Sequence, residues 1–197
     1  MNDYIIKPVK HVLEIGGGIN PLPFKRINMD ILDHMKVDIK HNLEDIPYPF
    51  EDNSFNTIIG LYIIEHISWR KIRIVLEELY RILNYNGTMI LTTSNLLEQA
   101  KYILRYGVSQ HTVEMVYGSQ EYPDYAGVHK TSFSPAYIET ILSNIGFTPK
   151  IYTPMPNIFI QLEEYNKVVP LYPGSITDIL VIAEKRREEK KKTKKQN

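Results

Sequence analysis

The stretch Val12-Leu13-Glu14-Ile15-Gly16-Gly17-Gly18-Ile19-Asn20-Pro21 carries the strongest signal for the fold. A short apolar run that contains one acid ends in three glycines, and glycine lets the backbone adopt positive φ and approach a ligand closely. Asn20 is a good N-cap and Pro21 suits the first position of a helix. The stretch therefore predicts a buried strand, a ligand-contacting turn and the start of a short helix.

On the C-terminal side of this stretch, short β-rich apolar runs alternate with amphipathic stretches, which is typical of an α/β fold with a mainly parallel sheet. The predicted strands are His11–Ile15, Asn28–Asp30, Val37–Ile39, Asn56–Leu61, Thr88–Thr93, Phe147–Tyr152 and Asp178–Ala183. The predicted helices are Ser68–Leu83 and Ser134–Asn144. We therefore expect one domain, residues 1–184, with a Rossmann-like seven-stranded mainly parallel sheet and helices on both faces.

Two segments interrupt the alternation. Residues 96–125 are rich in Tyr, Gln and His and lack an obvious strand, so we expect an inserted cap over about 96–130, beside the ligand cleft. The Pro-containing stretch Pro154–Pro173 is too long for a tight hairpin and is also expected near the site.

Composition excludes several classes of protein. The chain of 197 residues has no cysteine, which excludes disulfides, thiolate catalysis and Cys-ligated zinc. No apolar run approaches the roughly 20 residues of a membrane helix, and the N-terminus lacks a signal-peptide pattern. We therefore expect a cytoplasmic protein without a membrane span. The six histidines show no convincing metal-ligand spacing, so we expect no catalytic metal.

The formal net charge of zero hides an asymmetry along the chain. From Lys185 to Asn197 there are eight Lys or Arg residues, two Glu and no hydrophobic residue. Such a tail, 185–197, cannot bury apolar surface, so it is expected to be a disordered, solubilising end. The alternative is a weak contact with nucleic acid or an anionic surface, against which the acidic remainder of the chain argues.

The glycine turn favours a nucleoside without phosphates. The dinucleotide fingerprint requires a third glycine and an acid about 20 residues onward. Here Pro21 occupies the third glycine position, and Asp30 follows Gly18 by only 12 residues. No lysine follows to make a phosphate-binding loop, so pyrophosphate binding is disfavoured.

Several ordered motifs over residues 11–95 resemble those of class I S-adenosylmethionine (SAM)-dependent methyltransferases. Glu14-x-Gly16-x-Gly18 resembles motif I, Asp30 is at the place of the ribose-binding acid, and Asn42-Leu43 at the place of the pair that frames adenine. The stretches Ile46–Asn56, Ile63–His66 and Glu77–Ser94 resemble later motifs, with Glu78, Arg81, Leu83 and Gly87 on fixed positions of the last. The chain most resembles the methyltransferase-11 type, a small subgroup with a shortened first helix. Some of its members share a pattern like Tyr117–Gln120 and His129–Phe133.

The resemblance implies SAM as the cofactor. Its binding residues would be Glu14, Gly16, Gly17, Gly18, Asn20, Asp30, Asn42, Leu43 and Leu61. Asn42 replaces an Asp common in the family, Asn56 another, and Tyr85-Asn86-Gly87 replaces Pro-Gly-Gly. Asparagine still donates and accepts, so these departures need not abolish binding.

The resemblance further implies methyl transfer to a small-molecule or saccharide acceptor, on oxygen or nitrogen. Tyr117 and Gln120 are the candidate acceptor-binding residues. His129 or His66 is the candidate general base, because imidazole titrates near neutral pH. Two alternatives stay open: a non-catalytic SAM-binding or scaffold protein, and an aminopropyltransferase-like enzyme. The sequence predicts neither the acceptor nor the oligomeric state.

Overall fold

The computed structural model describes residues 3–6, 11–121, 127–162 and 167–186. Its strands are β1 (Asp3–Ile6), β2 (Val12–Ile15), β3 (Ile27–Asp30), β4 (Ile39–Lys40), β5 (Phe55–Leu61), β6 (Leu83–Ser94), β7 (Phe147–Tyr152), β8 (Asn157–Leu162), β9 (Lys167–Tyr172) and β10 (Asp178–Lys185). Its helices are α1 (Ile72–Ile82), α2 (Leu96–Tyr106), α3 (Gln110–Tyr117) and α4 (Pro135–Ile145), with a 3-10 turn at Ile64–His66. No helix among these residues is long and apolar enough to cross a membrane.

Seven strands form the central sheet in the order β4-β3-β2-β5-β6-β10-β7. All neighbours are parallel except β10, which runs antiparallel to both β6 and β7. The chain moves outward from β2 to β3 and β4, then returns to β5 on the other side of β2. Ligands of such sheets bind where the order reverses, outside the carboxyl ends of the strands. The predicted seven-stranded, Rossmann-like α/β fold is confirmed.

One face of the central sheet is covered by α1 and α4. Helix α1 buries apolar residues at helical spacing, namely Ile72, Val75, Leu76, Leu79 and Ile82. Helix α4 adds Ile138 and Leu142, and both helices pack on inward side chains of β2, β5, β6 and β10 in the main core.

The expectation of helices on both faces is wrong, because the other face is packed by a second, small sheet. Strands β1, β8 and β9 form this small sheet, with β8 in the middle. Ile158 and Ile160 of β8 are fully buried against Val12, Ile59 and Leu180 of the central sheet. The stretch 154–173 thus contributes two strands to the fold where the sequence suggested an irregular connection.

The predicted helix after the glycine turn is wrong. The structure has no helix between β2 and β3, and Asn20 and Pro21 lie in an irregular connection. The reason lies in Glu14, whose carboxylate accepts hydrogen bonds from the backbone nitrogen of Leu22 at 3.0 Å. This buried contact ties Leu22 back to β2 and holds the connection in an irregular path. Helix α1 also begins at Ile72, after the predicted Ser68, and the third predicted strand is displaced to Ile39–Lys40.

The predicted start of the basic tail is also wrong. Lys185 is the last residue of β10 and is 4% exposed. Its Nζ donates to the carbonyl oxygens of Tyr80 and Leu83, both at 2.8 Å, and to Asn53 Oδ1 at 2.9 Å. A lysine with three acceptors is stable in a buried position, so the folded domain extends through Lys185. Residues 187–197 lie outside the described residues.

The segment predicted as a cap contains two antiparallel helices that pack on each other. Asn95 caps α2 through a bond from Leu97 N, and Ser109 and Thr112 form a reciprocal capping box on α3. The Gln99 Nε2 amide donates to the Met115 carbonyl at 2.9 Å and joins the two helices. Residues 122–126 of the predicted cap lie outside the described part.

Candidate functional site

A cleft of about 870 Å³ lies at the carboxyl ends of β2, β3, β4 and β5. This size is ordinary for the site of a cofactor or drug-sized ligand. All nine residues predicted to bind the cofactor line it, namely Glu14, Gly16, Gly17, Gly18, Asn20, Asp30, Asn42, Leu43 and Leu61. These residues come from the ends of β2, β3 and β5 and from the connections that follow β2 and β4.

The glycine turn lines the cleft, and two of its three glycines have no room for a side chain. Gly16 has φ of +70°, and a Cβ on it would collide with the Ile63 side chain. A Cβ on Gly17 would meet Asn28 Oδ1 at 2.5 Å and the Glu14 carboxylate. Gly18 has φ of +53° but open space around it. The first two glycines are therefore required by packing and the third by its backbone conformation alone.

Glu14 fixes the connection that follows the turn. Besides Leu22 N, its carboxylate accepts a hydrogen bond from Arg26 Nε at 3.1 Å. Burial raises the pKa of Glu14, and the bonds from Leu22 and Arg26 oppose this rise. These contacts show that Glu14 orients the loop that follows the glycine turn.

Asp30 joins the glycine turn to the end of β3. Its Oδ2 accepts from Gly18 N at 2.9 Å and its Oδ1 from Leu32 N, also at 2.9 Å. Asp30 is 8% exposed and lines the cleft. A carboxylate oxygen accepts more than one hydrogen bond, so each oxygen can still accept from a ligand hydroxyl.

Charge in the cleft is mostly negative. The lining carboxylates are Glu14, Asp30, Asp33 and Glu44, against the amines of Lys40 and Lys130. Lys40 Nζ is bound to Asp33 Oδ2 at 3.0 Å. Arg26 pairs with Glu14 and Lys71 with Glu44. The negative charge left in the described lining is therefore that of Asp30, which disfavours a pyrophosphate.

The two candidate bases are brought together by a tertiary contact. The backbone nitrogens of Lys130 and Thr131 donate to the Glu65 carbonyl at 2.8 and 3.0 Å. His66 and His129 consequently face each other with ring centroids 5.0 Å apart. Of the two, His66 lines the cleft, and His129 lies behind it, next to the carbonyls of Met115 and Val116. Burial lowers the pKa of both imidazoles.

Glu65 is the most deeply buried acid in this neighbourhood, with 1% exposure. Its burial raises the pKa of its carboxyl to about 8. The carboxylate oxygen Oε2 has no hydrogen-bond partner within the described part of the chain. The sequence motif singled out Glu65 beside His66 but did not predict that His129 joins them.

The residues proposed for acceptor binding lie away from the cleft lining. Tyr117 is 57% exposed at the end of α3, and its carbonyl accepts from His129 N at 3.0 Å. Gln120 is exposed as well, and neither residue is among the described residues that line the cleft. Of the described residues in 96–130, Lys130 lines it.

Other lining residues were missed by sequence reasoning. Tyr62 has φ of +53° and donates from its hydroxyl to Asp178 Oδ2 at 2.9 Å. Its ring lies 5.2 Å from that of Tyr172, which reaches the cleft from β9. Tyr172 could have been found from the sequence, because the stretch 154–173 was expected near the site. For Tyr62 the signal was its place just before the Ile63–His66 motif.

Two of the matched motif residues have a structural role. Glu78 Oε1 pairs with Arg81 Nη2 at 2.6 Å and also accepts from Tyr48 N at 2.7 Å. The pair lowers the pKa of Glu78 and ties α1 to the loop before β5. Their match to the motif therefore reflects how the fold is built.

No family model matches the chain, and no curated protein matches it. Solved structures match it over nearly its whole length. A SAM-dependent methyltransferase of Thermotoga maritima, described as a possible histamine N-methyltransferase, is 20% identical, with 91% of this chain and 84% of that chain covered at a TM-score of 0.57.

Two archaeal structures are similar to the same degree. A SAM-dependent methyltransferase of Archaeoglobus fulgidus is 17% identical, with 89% of this chain and 86% of that one covered at a TM-score of 0.57. One of Methanosarcina mazei is 15% identical, with 90% and 93% covered at a TM-score of 0.53. At these identities the likeness establishes the fold, and the fold of this chain is that of the class I SAM-dependent methyltransferases.

Proposed function

We propose that the protein is a methyltransferase that uses SAM as the methyl donor. The observation that carries this proposal is the cleft, because all nine residues expected to contact SAM line it. The cleft lies at the point where the strand order reverses, which is where this class of sheet binds its ligands. The likeness to solved methyltransferases supports the same cofactor.

The chemistry of the cleft suits SAM. Asp30 offers carboxylate oxygens to the ribose hydroxyls, and Asn42 and Leu43 offer a polar and an apolar group to adenine. SAM carries a sulfonium cation, which the negative charge of Asp30 in the lining favours. The rings of Tyr62 and Tyr172 add aromatic surface, to which a cation is attracted.

For the acceptor we propose a small polar molecule or a saccharide, methylated on oxygen or nitrogen. The tyrosine pair offers a surface for a sugar ring, and Lys130 and His66 offer polar contacts beside it. Tyr117 and Gln120 are kept as candidate acceptor-binding residues, at the end of the α2–α3 hairpin opposite its turn at residues 107–109. SAM's methyl group is already activated, so the protein mainly aligns acceptor and methyl carbon and excludes water.

A base is useful if the acceptor is a neutral hydroxyl or amine. His66 lines the cleft and is therefore the better placed candidate, and His129 contacts it from behind. General-base catalysis contributes typically about 100-fold or more. We therefore expect His66→Ala to lower turnover by at least about 100-fold in the folded fraction.

The experiment that tests this function is an acceptor screen. The protein is incubated with SAM and a panel of polar small molecules and saccharides, and release of S-adenosylhomocysteine is measured. Acceptor-dependent release supports the proposal. Intact SAM recovered with every acceptor, together with tight SAM binding, would favour a scaffold instead. Turnover of decarboxylated SAM alone would favour aminopropyl transfer.

A further inference from the structure

Three side chains of metal-ligand type meet at the wall of the cleft. They are Glu65, His66 and His129, and one ligand atom of each lies within 4.8 Å of the other two. They come from two segments 62 or more residues apart in the sequence. The six histidines showed no ligand spacing because this group exists only in the folded chain.

One oxygen of the buried Glu65 carboxylate lacks a hydrogen-bond partner, although the Thr93 side chain interacts with the carboxyl group and opposes the rise that burial causes in its pKa. Glu65 is 1% exposed, and its Oε2 has no hydrogen bond from any described residue. Leaving such an oxygen unsatisfied costs free energy, and native proteins rarely do so. A cation bound between Glu65 and the two imidazoles would provide the missing partner.

The imidazole of His66 is oriented as a ligand. Its Nδ1 lies 3.0 Å from the Val128 carbonyl oxygen. A carbonyl only accepts, so Nδ1 carries the hydrogen and the lone pair of the neutral ring is on Nε2. Metal-binding histidines are typically held in this way, by a backbone carbonyl on the other ring nitrogen. The His129 ring has carbonyls beside it too, those of Met115 and Val116.

The backbone holds the three residues together without an ion. The Glu65 carbonyl accepts from both Lys130 N and Thr131 N, and the Thr131 hydroxyl donates to the Ile67 carbonyl. These bonds dock the segment that carries His129 onto the turn that carries Glu65 and His66. A site preformed in this way binds a metal ion without paying for ordering its ligands.

We propose that Glu65, His66 and His129 bind one divalent transition-metal ion. One carboxylate and two imidazoles suit zinc, and three protein ligands leave a coordination position open. Since His66 lines the cleft, this position would be available to a ligand there. The open position could hold an acceptor oxygen or nitrogen near the methyl group, and this part of the proposal rests on the proposed function. A metal-bound imidazole has no lone pair left to accept a proton, so this role and that of general base exclude each other.

Zinc binding tests the proposal without SAM or acceptor. The full chain is stripped with a chelator, dialysed and titrated with Zn²⁺ by calorimetry. We expect one ion per chain, with affinity at least about 100-fold lower in Glu65→Gln and in His129→Ala. His111→Ala is the matched control, because His111 is exposed on α3 and outside the cluster. It should bind zinc as the wild type does.

Two further measurements keep the test decisive if a variant does not fold. Zn²⁺ should raise the melting temperature of the wild type, because it binds the folded chain. X-ray absorption of the zinc-loaded wild type should show two imidazole ligands. Any of three results would overturn the proposal. The wild type binds no stoichiometric zinc, the ligands of the bound zinc include no imidazole, or both cluster variants bind zinc as tightly as the wild type. SAM affinity, measured separately, tests the proposed function and is independent of these outcomes.

Discussion

At the scale of single residues, Asp30 has two tasks, and a substitution at this position affects both. It holds the glycine turn through Gly18 N and Leu32 N, and it lines the cleft where ribose hydroxyls are expected. Asp30→Asn keeps the shape but removes the charge, and its amide nitrogen cannot accept the backbone N–H that the replaced oxygen accepts. A charged hydrogen bond is stronger than a neutral one, so we expect SAM affinity to fall by about 1–3 kcal/mol.

The control for Asp30→Asn is Asp45→Asn, an exposed carboxylate outside the cleft lining. Calorimetry with S-adenosylhomocysteine measures both. Equal affinities in the two variants would show that Asp30 is not a ligand of the nucleoside.

The glycine turn gives a second residue-scale prediction. Gly16→Ala and Gly18→Ala impose the same left-handed strain on alanine, which costs about 1–2 kcal/mol. Only the first also drives a Cβ into Ile63. We therefore expect urea unfolding to show a larger loss of stability for Gly16→Ala than for Gly18→Ala. A larger loss for Gly18→Ala would contradict the close contact between Gly16 and the Ile63 side chain.

At the scale of secondary-structure elements, the end of β10 is expected to contribute to stability. The Lys185 ammonium satisfies the carbonyls of Tyr80 and Leu83, at the junction of α1 and β6. Deleting 187–197 should leave the melting temperature unchanged, because that segment has no hydrophobic residue to bury. Deleting 185–197 should lower it by several degrees, since each buried carbonyl left unsatisfied costs about 1–3 kcal/mol. Equal melting temperatures for the two truncations would contradict the role of Lys185.

Elements differ in how much of them the sequence could predict. The glycine turn, Asp30 and the strands of the central sheet were predictable, because local periodicity and turn chemistry determine them. The helix after Pro21 was predicted wrongly, since a hydrogen bond that Leu22 N donates to the Glu14 carboxylate holds that connection. Strands β8 and β9 were not predicted, because the prolines around them suggested a loop. The Glu65–His129 contact depends on backbone bonds between distant segments, to which sequence spacing gives no guide.

At the scale of the whole molecule, the small sheet completes the hydrophobic core. Ile158 of β8 is fully buried between this sheet and the central one. Ile158→Ala should lower the free energy of unfolding by about 2–5 kcal/mol, because it removes buried methyl groups and leaves a cavity. Val168→Ala on β9 is the control, since Val168 is 46% exposed. A loss no greater than that of the control would show that the small sheet is not part of the core.

The central claim is that the cleft binds SAM. It predicts that the protein prefers a nucleoside without phosphates to NAD, because the negative charge of Asp30 and the Pro21 position disfavour a pyrophosphate. Calorimetric titration of the full chain with SAM, S-adenosylhomocysteine and NAD is the most direct test. The account predicts that SAM and S-adenosylhomocysteine both bind, and that each binds more tightly than NAD. NAD binding more tightly than either would contradict it.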